Sequence, residues 1–119
     1  MNKTILVVDD NEDILDALEM TLSFENFTVH TTSRAEDALR FVDEIRPDVV
    51  LLDVLMSGID GRDICRMLKN SDILGKTPVI MISAHPSAEE SVRKVGADDF
   101  LAKPFDMDSL INSINRLSN

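Results

Sequence analysis

Residues 49–53 have the sequence Val-Val-Leu-Leu-Asp, a short apolar run that ends in a carboxylate. Three other short apolar runs also precede residues capable of chemistry: Ile5–Val8 before Asp9 and Asp10, Val79–Ile82 before Ser83, and Phe100–Ala102 before Lys103. Such runs, separated by helical patterns, are typical of buried strands in a parallel sheet. Ligands bind beyond the carboxyl ends of the strands in an open sheet, so we expect these polar residues to meet at one edge.

Helical patterns alternate with the strands along the whole chain. The assigned segments are, in order, a helix at Glu12–Phe24, a strand at Phe27–Thr31, a helix from Ser33, a helix at Asp60–Asn70, a helix from Ser87 and a helix capped by Asp106. Ser33 and Ser87 each begin a Ser-x-x-Glu pattern, which is typical of a capped helix N-terminus. The alternation predicts an α/β domain, with a parallel sheet and helices on both of its faces.

The composition limits the class of protein. A chain of 119 residues with 44% hydrophobic and 29% charged residues is sufficient for one globular domain, assigned to residues 1–119. It has no apolar run as long as a membrane span and no signal-peptide pattern, and its single cysteine, Cys65, favours a reducing compartment. The net charge of −10 disfavours direct nucleic-acid binding. We therefore expect a cytoplasmic domain that binds neither membranes nor nucleic acid.

Asp9, Asp10 and Asp53 form the predicted carboxylate cluster. Crowded carboxylates repel one another, which raises the pKa of at least one of them unless a cation is present. A hard divalent ion such as Mg²⁺, which prefers oxygen ligands, would remove that repulsion. The alternative for Asp9 and Asp10 is structural, since aspartates after a strand often cap a helix or form an Asx turn. For Asp53 we favour function, because an unpaired carboxylate after a buried run is destabilising.

Lys103 and Ser83 complete the set of polar groups at this edge. The ammonium group of Lys103 could neutralise a metal-bound phosphate, and Ser83 offers a hydroxyl beside Ala84, whose small side chain lets backbone approach. Each has an ordinary alternative when taken singly, namely a surface lysine at a strand end and a turn serine. Their shared position with three carboxylates favours a site for a phosphoryl group.

A carboxylate in such a site can attack phosphorus and form an acyl phosphate, while a metal ion and lysine neutralise charge. Two classes of protein use this step: a phosphatase that turns over, and a domain that holds the phosphoryl group as a signal. An aspartate phosphatase would have a second Asp two residues after its nucleophile and an insertion that covers the substrate. Here Val54 and Leu55 follow Asp53, without such an insertion. The sequence therefore favours a self-phosphorylating signalling domain over an enzyme with an external substrate.

Six short motifs occur in order along the chain. They are Val7-Val8-Asp9-Asp10, Leu51-Leu52-Asp53, Met56-Ser57-Gly58-Ile59-Asp60-Gly61, Ile82-Ser83-Ala84, Gly96-Ala97-Asp98-Asp99-Phe100 and Lys103-Pro104-Phe105. With these motifs at these spacings, the chain resembles the receiver domains of bacterial two-component response regulators over essentially all of its 119 residues. The resemblance implies a doubly wound, five-stranded parallel sheet in the flavodoxin-like order 2-1-3-4-5, with five helices.

The resemblance also implies roles for the site residues. Asp53 would accept a phosphoryl group from a phosphohistidine on a histidine kinase or a histidine phosphotransfer protein. Asp10, Asp53 and the backbone carbonyl of Leu55 would bind Mg²⁺ directly, and Asp9 would act mainly through water. Lys103 would pair with a phosphoryl oxygen.

By the same resemblance, phosphorylation would operate a switch. Ser83 would move to hydrogen-bond the phosphoryl group, and Phe100 would rotate inward into the space that Ser83 vacates. Ala84 and His85 would lie close to the phosphoryl group. His85 would contact that group or its attacking water, or else face solvent as an ordinary loop residue.

The fourth helix, fifth strand and fifth helix would bind a downstream protein target through residues 87–95, 98–102 and 107–118, here termed the output face. One end of the output face is rich in acidic residues, which predicts a basic or mixed-charge partner: Glu89, Glu90, Asp98, Asp99, Asp106 and Asp108. A rival interpretation is a constitutive interaction module with the same fold and no phosphorylation. It is disfavoured because such a module has no need for the full set of Asp9, Asp10, Asp53, Ser83 and Lys103.

Two positions depart from the usual family pattern. Ser57 stands where family members usually have Pro, which predicts a less rigid loop after Asp53 and weaker metal binding. Ser83 stands where Thr is commoner, and this exchange keeps the hydroxyl group.

Overall fold

A five-stranded parallel sheet forms the centre of the computed structural model, which describes residues 2–119. Its strands are β1 (Thr4–Val8), β2 (Thr28–Thr32), β3 (Val49–Asp53), β4 (Val79–Ser83) and β5 (Asp99–Ala102). They lie in the order β2-β1-β3-β4-β5, and every neighbouring pair is parallel. The predicted doubly wound topology is therefore confirmed. The apolar runs form these strands because burial on both faces of a sheet favours continuous Val, Ile and Leu.

Five helices cover the two faces of the sheet: α1 (Glu12–Phe24), α2 (Ala38–Ile45), α3 (Gly61–Lys69), α4 (Glu89–Lys94) and α5 (Met107–Leu117). Successive strand residues point to opposite faces. Ile5 and Val7 accordingly pack with apolar residues of α1 and α5, whereas Leu6 and Val8 pack with those of α2, α3 and α4. These two buried clusters hold the carboxyl ends of the strands together at one edge.

The starts of α2 and α4 differ from the prediction. Neither Ser33 nor Ser87 caps an α-helix, so both capping-box predictions were wrong. Each of the two helices is preceded by a 3₁₀ turn, at Ala35–Asp37 and at Pro86–Ala88, and neither turn nor helix has a side-chain cap at its N-terminus.

Hydroxyl groups at the ends of two strands explain this difference. Thr32 Oγ1 accepts a hydrogen bond from the Arg34 N–H at 3.1 Å, and Ser83 Oγ accepts one from the His85 N–H at 3.0 Å. Such bonds favour a turn over an immediate helical start. Asp106, by contrast, caps α5 as predicted, accepting a hydrogen bond from a backbone N–H.

A short antiparallel ribbon follows Asp53 and was not predicted. Leu55–Met56 pairs with Ile59–Asp60. The two residues between them, Ser57 and Gly58, have φ angles of +37° and +83°. Positive φ at both central residues is typical of the tight type I′ turns that close hairpins. The ribbon therefore gives the segment after Asp53 a defined shape.

No helix within residues 2–119 combines the length and the hydropathy that crossing a membrane requires.

Candidate functional site

Three carboxylates lie together at the carboxyl edge of the sheet. Asp9 and Asp10 follow β1, and Asp53 is the last residue of the neighbouring β3, whose Leu52 pairs with Val8. Each aspartate offers one oxygen, and these oxygens all lie within 4.8 Å of one another. Asp9 and Asp53 are buried, with 3% and 7% of their surface exposed, and Asp10 is the most accessible of the three. The predicted meeting of these residues is confirmed.

Lys103 faces two of the three carboxylates. Its Nζ lies 3.2 Å from Oδ2 of Asp9 and 3.4 Å from Oδ1 of Asp53. Its backbone N–H donates a hydrogen bond to the Ser83 carbonyl at 2.8 Å, which ties the end of β5 to that of β4. Within residues 2–119, Lys103 is the one cation that forms ion pairs with these three carboxylates, so the cluster keeps excess negative charge.

The excess negative charge affects the pKa of Asp53. Burial, followed by the charge of Asp9, raises the pKa of Asp53 from its ordinary value to about 6, although Lys103 opposes the shift. Ionised Asp53 is therefore less favourable here than in water, and a further cation in the cluster would stabilise it. Mg²⁺ prefers oxygen ligands and commonly binds one or two carboxylates with waters and a phosphate oxygen. The donor set of Asp9, Asp10 and Asp53 fits that ion.

Replacing Lys103 with Met is expected to raise the pKa of Asp53 above about 6, because the ammonium group is a cation that lowers it. The measurement is a ¹³C NMR titration of the aspartate carboxyl groups in EDTA-treated protein. Lys76→Met, in the α3–β4 connection and away from the cluster, is the matched control and should leave the titration unchanged. An Asp53 pKa at or below the wild-type value in Lys103→Met would contradict the role of Lys103 in stabilising ionised Asp53.

Ser83 lies beside Asp53, since Ile82 of β4 is the register partner of Asp53. Ser83 is 2% exposed, whereas Ala84 and His85 are exposed at the start of the next loop. A cavity of about 250 Å³ opens in front of these residues and is lined by Val54, Leu55, Arg62, Ser83, His85, Ser87, Ala88 and Ser91. The structure thus places Leu55 and His85 on the wall of one cavity beside the phosphoacceptor candidate.

Phe100 is buried in this structure, with 9% of its surface exposed. It lies on β5 opposite Met81 and belongs to the cluster that α2, α3 and α4 cover. The side chain already occupies an inward position, so its rotation on phosphorylation stays a prediction.

Ser57 makes a contact that the sequence analysis did not predict. Its N–H and its hydroxyl both donate hydrogen bonds to Oδ2 of Asp10, at 2.9 and 2.8 Å. Proline has neither donor, so the exchange adds two hydrogen bonds that tie the loop to the carboxylate cluster. The lower rigidity of this loop stays a prediction. A donor-bearing residue in place of Pro, close in sequence to an acidic cluster, is the signal that could have indicated this contact.

The sequence analysis also missed Arg62, which links the ribbon to α4. Its Nε and Nη2 donate to the Asp60 carboxylate at 2.9 and 2.7 Å, and its Nη1 donates to Ser91 Oγ at 2.9 Å. The Asp60 contact is local, whereas Ser91 lies 29 residues away in the chain. The bridge therefore joins the end of the ribbon that follows Asp53 to one element of the output face.

Much of the acidic end of the output face is paired with cations of the same chain. Four of its six acidic residues form ion pairs: Asp98 with Lys69 (2.7 Å), Asp99 with Arg116 (2.8 Å), Glu89 with Arg93 (2.9 Å) and Glu90 with Lys94 (3.3 Å). Asp106 is engaged in capping α5. Less unpaired negative charge is therefore left at this end than the sequence alone suggests, and a basic or mixed-charge partner stays a prediction.

Comparison with known proteins agrees with this geometry. The family model described as "Response regulator receiver domain" matches residues 5–115. The response regulator MprA of Mycobacterium ulcerans is 35% identical over 119 residues, which are 98% of this chain and 50% of that protein. The alkaline phosphatase synthesis transcriptional regulatory protein PhoP of Bacillus subtilis is 36% identical over 107 residues, which are 88% of this chain and 44% of that protein. The chain thus spans about half the length of these curated relatives.

Solved structures extend the similarity to three dimensions. A Francisella response regulator receiver domain superposes with a TM-score of 0.90 at 28% identity, over 98% of this chain and 97% of that one. The response regulator protein TrrA of Thermotoga maritima, solved in complex with Mg(2+)-BeF, has a TM-score of 0.87 at 28% identity, over 97% and 98% of the two chains.

Proposed function

Because the chain belongs to the family of response regulator receiver domains of two-component signalling, we propose that Asp53 is its phosphoacceptor. The observation that carries this proposal is the arrangement of Asp53 beside two further carboxylates and the ammonium group of Lys103. The phosphoryl donor is a phosphohistidine on a histidine kinase or a histidine phosphotransfer protein.

The proposed reaction is a direct transfer. A carboxylate oxygen of Asp53 bonds to phosphorus while the phosphorus–nitrogen bond of the phosphohistidine breaks, and the imidazole leaves with the electron pair of that bond. Lys103 is placed to pair with a phosphoryl oxygen, since its Nζ already contacts Asp53. The Ser83 hydroxyl, which lies beside Asp53 and accepts a bond from a backbone N–H, is the second group that would turn towards the phosphoryl oxygens.

Asp10, Asp53 and the Leu55 carbonyl are the proposed Mg²⁺ ligands, and Asp9 supports them through water. A bound Mg²⁺ supplies positive charge that keeps Asp53 ionised and offsets the charge of the arriving phosphoryl group. The similarity to TrrA, which was solved with Mg(2+)-BeF, supports this assignment.

The proposed signal leaves through the output face to a downstream protein. Phosphorylation adds about −1.5 to −2 charges at Asp53, which biases an equilibrium between two arrangements of the Ser83 loop and Phe100. The bridge from Asp60 through Arg62 to Ser91 provides a contact between the segment after Asp53 and α4. We assign residues 1–119 to one receiver domain that acts in the cytoplasm, and a nucleic-acid contact is not part of its proposed function.

The test is intact-mass spectrometry after incubation with acetyl phosphate and MgCl₂. The wild-type chain should gain one phosphoryl group, whereas Asp53→Asn and an EDTA-treated sample should gain none. Asp72→Asn, at an exposed position, is the matched control and should behave as wild type.

Two results would contradict the proposal. The absence of an adduct, without rapid consumption of acetyl phosphate, would favour the constitutive interaction module. Multiple turnover on small phosphomonoesters would favour a hydrolase.

A further inference from the structure

The loop after the phosphoacceptor carries a contact that none of the proposed roles uses. Ser57 directs two donors, its backbone N–H and its hydroxyl, at the same oxygen of Asp10. The two residues lie 47 positions apart in the chain and follow different strands. The contact therefore joins the two halves of the carboxylate cluster, the pair after β1 and the segment after β3.

Ser57 is held firmly enough to act on Asp10. The ribbon on either side of it is paired, Met56 with Ile59 and Leu55 with Asp60. Ser57 has a φ of +37°, and its N–H and its hydroxyl both donate to Oδ2 of Asp10. Proline, whose ring fixes φ near about −65°, has neither this backbone conformation nor either donor.

The contact determines which part of Asp10 is available to a cation. A carboxylate has about four acceptor sites on its two oxygens. Two donors from Ser57 occupy Oδ2, so the other oxygen is the one left for a metal ion. Because Asp10 is the most accessible of the three aspartates, its side chain has the most conformational freedom to lose when a cation binds.

We propose that Ser57 is a positioning residue of the magnesium site, which orients the Asp10 carboxylate by two hydrogen bonds before the ion binds. The proposal rests on the proposed function, since it concerns the same metal site. Groups that hydrogen-bond a metal ligand orient it, and their loss typically lowers metal affinity by about 10–100-fold. Loss of the Ser57 hydroxyl leaves the N–H bond in place, so the lower end of that range applies.

The test is isothermal titration calorimetry of the EDTA-stripped full chain with MgCl₂. Ser57→Ala and Ser57→Gly should each bind Mg²⁺ about tenfold more weakly than wild type. The glycine variant keeps the N–H donor and adopts positive φ without strain, so its loss of affinity isolates the hydroxyl. The thermal midpoints of both variants in EDTA should stay close to that of wild type, which separates positioning from folding.

Ser109→Ala is the matched control. Ser109 makes a similar pair of bonds to an aspartate, from its N–H and its hydroxyl to Asp106, at the start of α5. Its loss should leave Mg²⁺ affinity unchanged.

Three results distinguish the inference from the function on which it rests. Weaker Mg²⁺ binding in both Ser57 variants, with wild-type affinity in Ser109→Ala, supports it. Wild-type affinity in the Ser57 variants, or equal weakening in Ser109→Ala, overturns the role of Ser57 and leaves the metal site intact. Failure of wild type to bind MgCl₂ overturns the metal site and the role of Ser57 together, whereas the phosphoacceptor role is decided separately by mass spectrometry.

Discussion

Gly61→Ala is expected to lower the free energy of unfolding by about 3 kcal/mol, the upper part of the range typical for overpacked positions. A Cβ at Gly61 would overlap the carbonyl oxygen of Asp53 and lie 3.1 Å from the carbonyl carbon of that residue. These are backbone atoms of the proposed phosphoacceptor, so no flexible side chain can move aside. The Gly61 N–H also donates a hydrogen bond to the Val54 carbonyl at 2.6 Å. If the start of α3 moved away to relieve the overlap, this hydrogen bond would break.

Helix propensity alone predicts that Gly61→Ala raises the free energy of unfolding, since Ala stabilises a helix by about 1 kcal/mol relative to Gly. The measurement is urea unfolding followed by far-ultraviolet circular dichroism, because the chain has no Trp or Tyr for fluorescence. We also expect slower phosphorylation by acetyl phosphate, since Asp53 must shift.

Gly58→Ala is the control for Gly61→Ala. Gly58 has φ +83°, and a Cβ added there would meet no atom within 4 Å, so only backbone strain applies at that position. That strain is about 1–2 kcal/mol for a residue other than glycine. A Gly61→Ala variant that is no less stable than Gly58→Ala would show that the α3 N-terminus can move away from Asp53 without strain.

Asp53→Asn is expected to raise the free energy of unfolding by about 1–3 kcal/mol at pH 7 without divalent ions, at the same time as it abolishes phosphorylation. The pKa of Asp53 is raised in the folded chain to about 6, mainly by burial, from an ordinary value of 3.8. Each unit of pKa difference corresponds to about 1.4 kcal/mol, which sets the upper limit of the gain. Asparagine has a similar shape and carries no charge, so the unfavourable carboxylate is removed.

The pH dependence has a definite sign. Between about pH 4 and pH 6 the folded chain binds more protons at Asp53 than the unfolded chain, so wild-type stability falls as the pH rises through this window. The advantage of Asp53→Asn should therefore be largest at pH 7 and shrink towards pH 4. Urea unfolding in EDTA at pH 7 and pH 5 measures it, with Asp72→Asn as the exposed control. An Asp53→Asn variant that is less stable than wild type at pH 7 would contradict the prediction that ionised Asp53 destabilises the folded chain.

Added MgCl₂ should reverse the order of the two proteins. A cation among Asp9, Asp10 and Asp53 stabilises the folded wild type to an extent that grows with the ion concentration relative to its dissociation constant. Asp53→Asn lacks one of the proposed ligands and should gain less.

Local sequence patterns predicted most of the fold. The helix Glu12–Phe24 has the predicted bounds, and the strand that begins at Val49 ends one residue later than predicted. Buried parallel strands require continuous apolar runs, and an amphipathic helix requires apolar residues at helical spacing, so both leave a signal within one segment. The capping boxes at Ser33 and Ser87 failed because a competing hydroxyl lay outside the pattern, at the end of the preceding strand.

The sequence by itself determined the α/β architecture and the meeting of Asp9, Asp10, Asp53 and Lys103, because the carboxyl ends of parallel strands share one edge. Only the tertiary structure decided which hydrogen bonds hold these groups and which ion pairs compensate the charges around them. The bonds from Ser57 to Asp10, the reach of Arg62 to Ser91 and the pairing of Asp99 with Arg116 join residues 47, 29 and 17 positions apart. Such contacts depend on how separate elements pack against one another, and periodicity within a single segment carries no record of that packing.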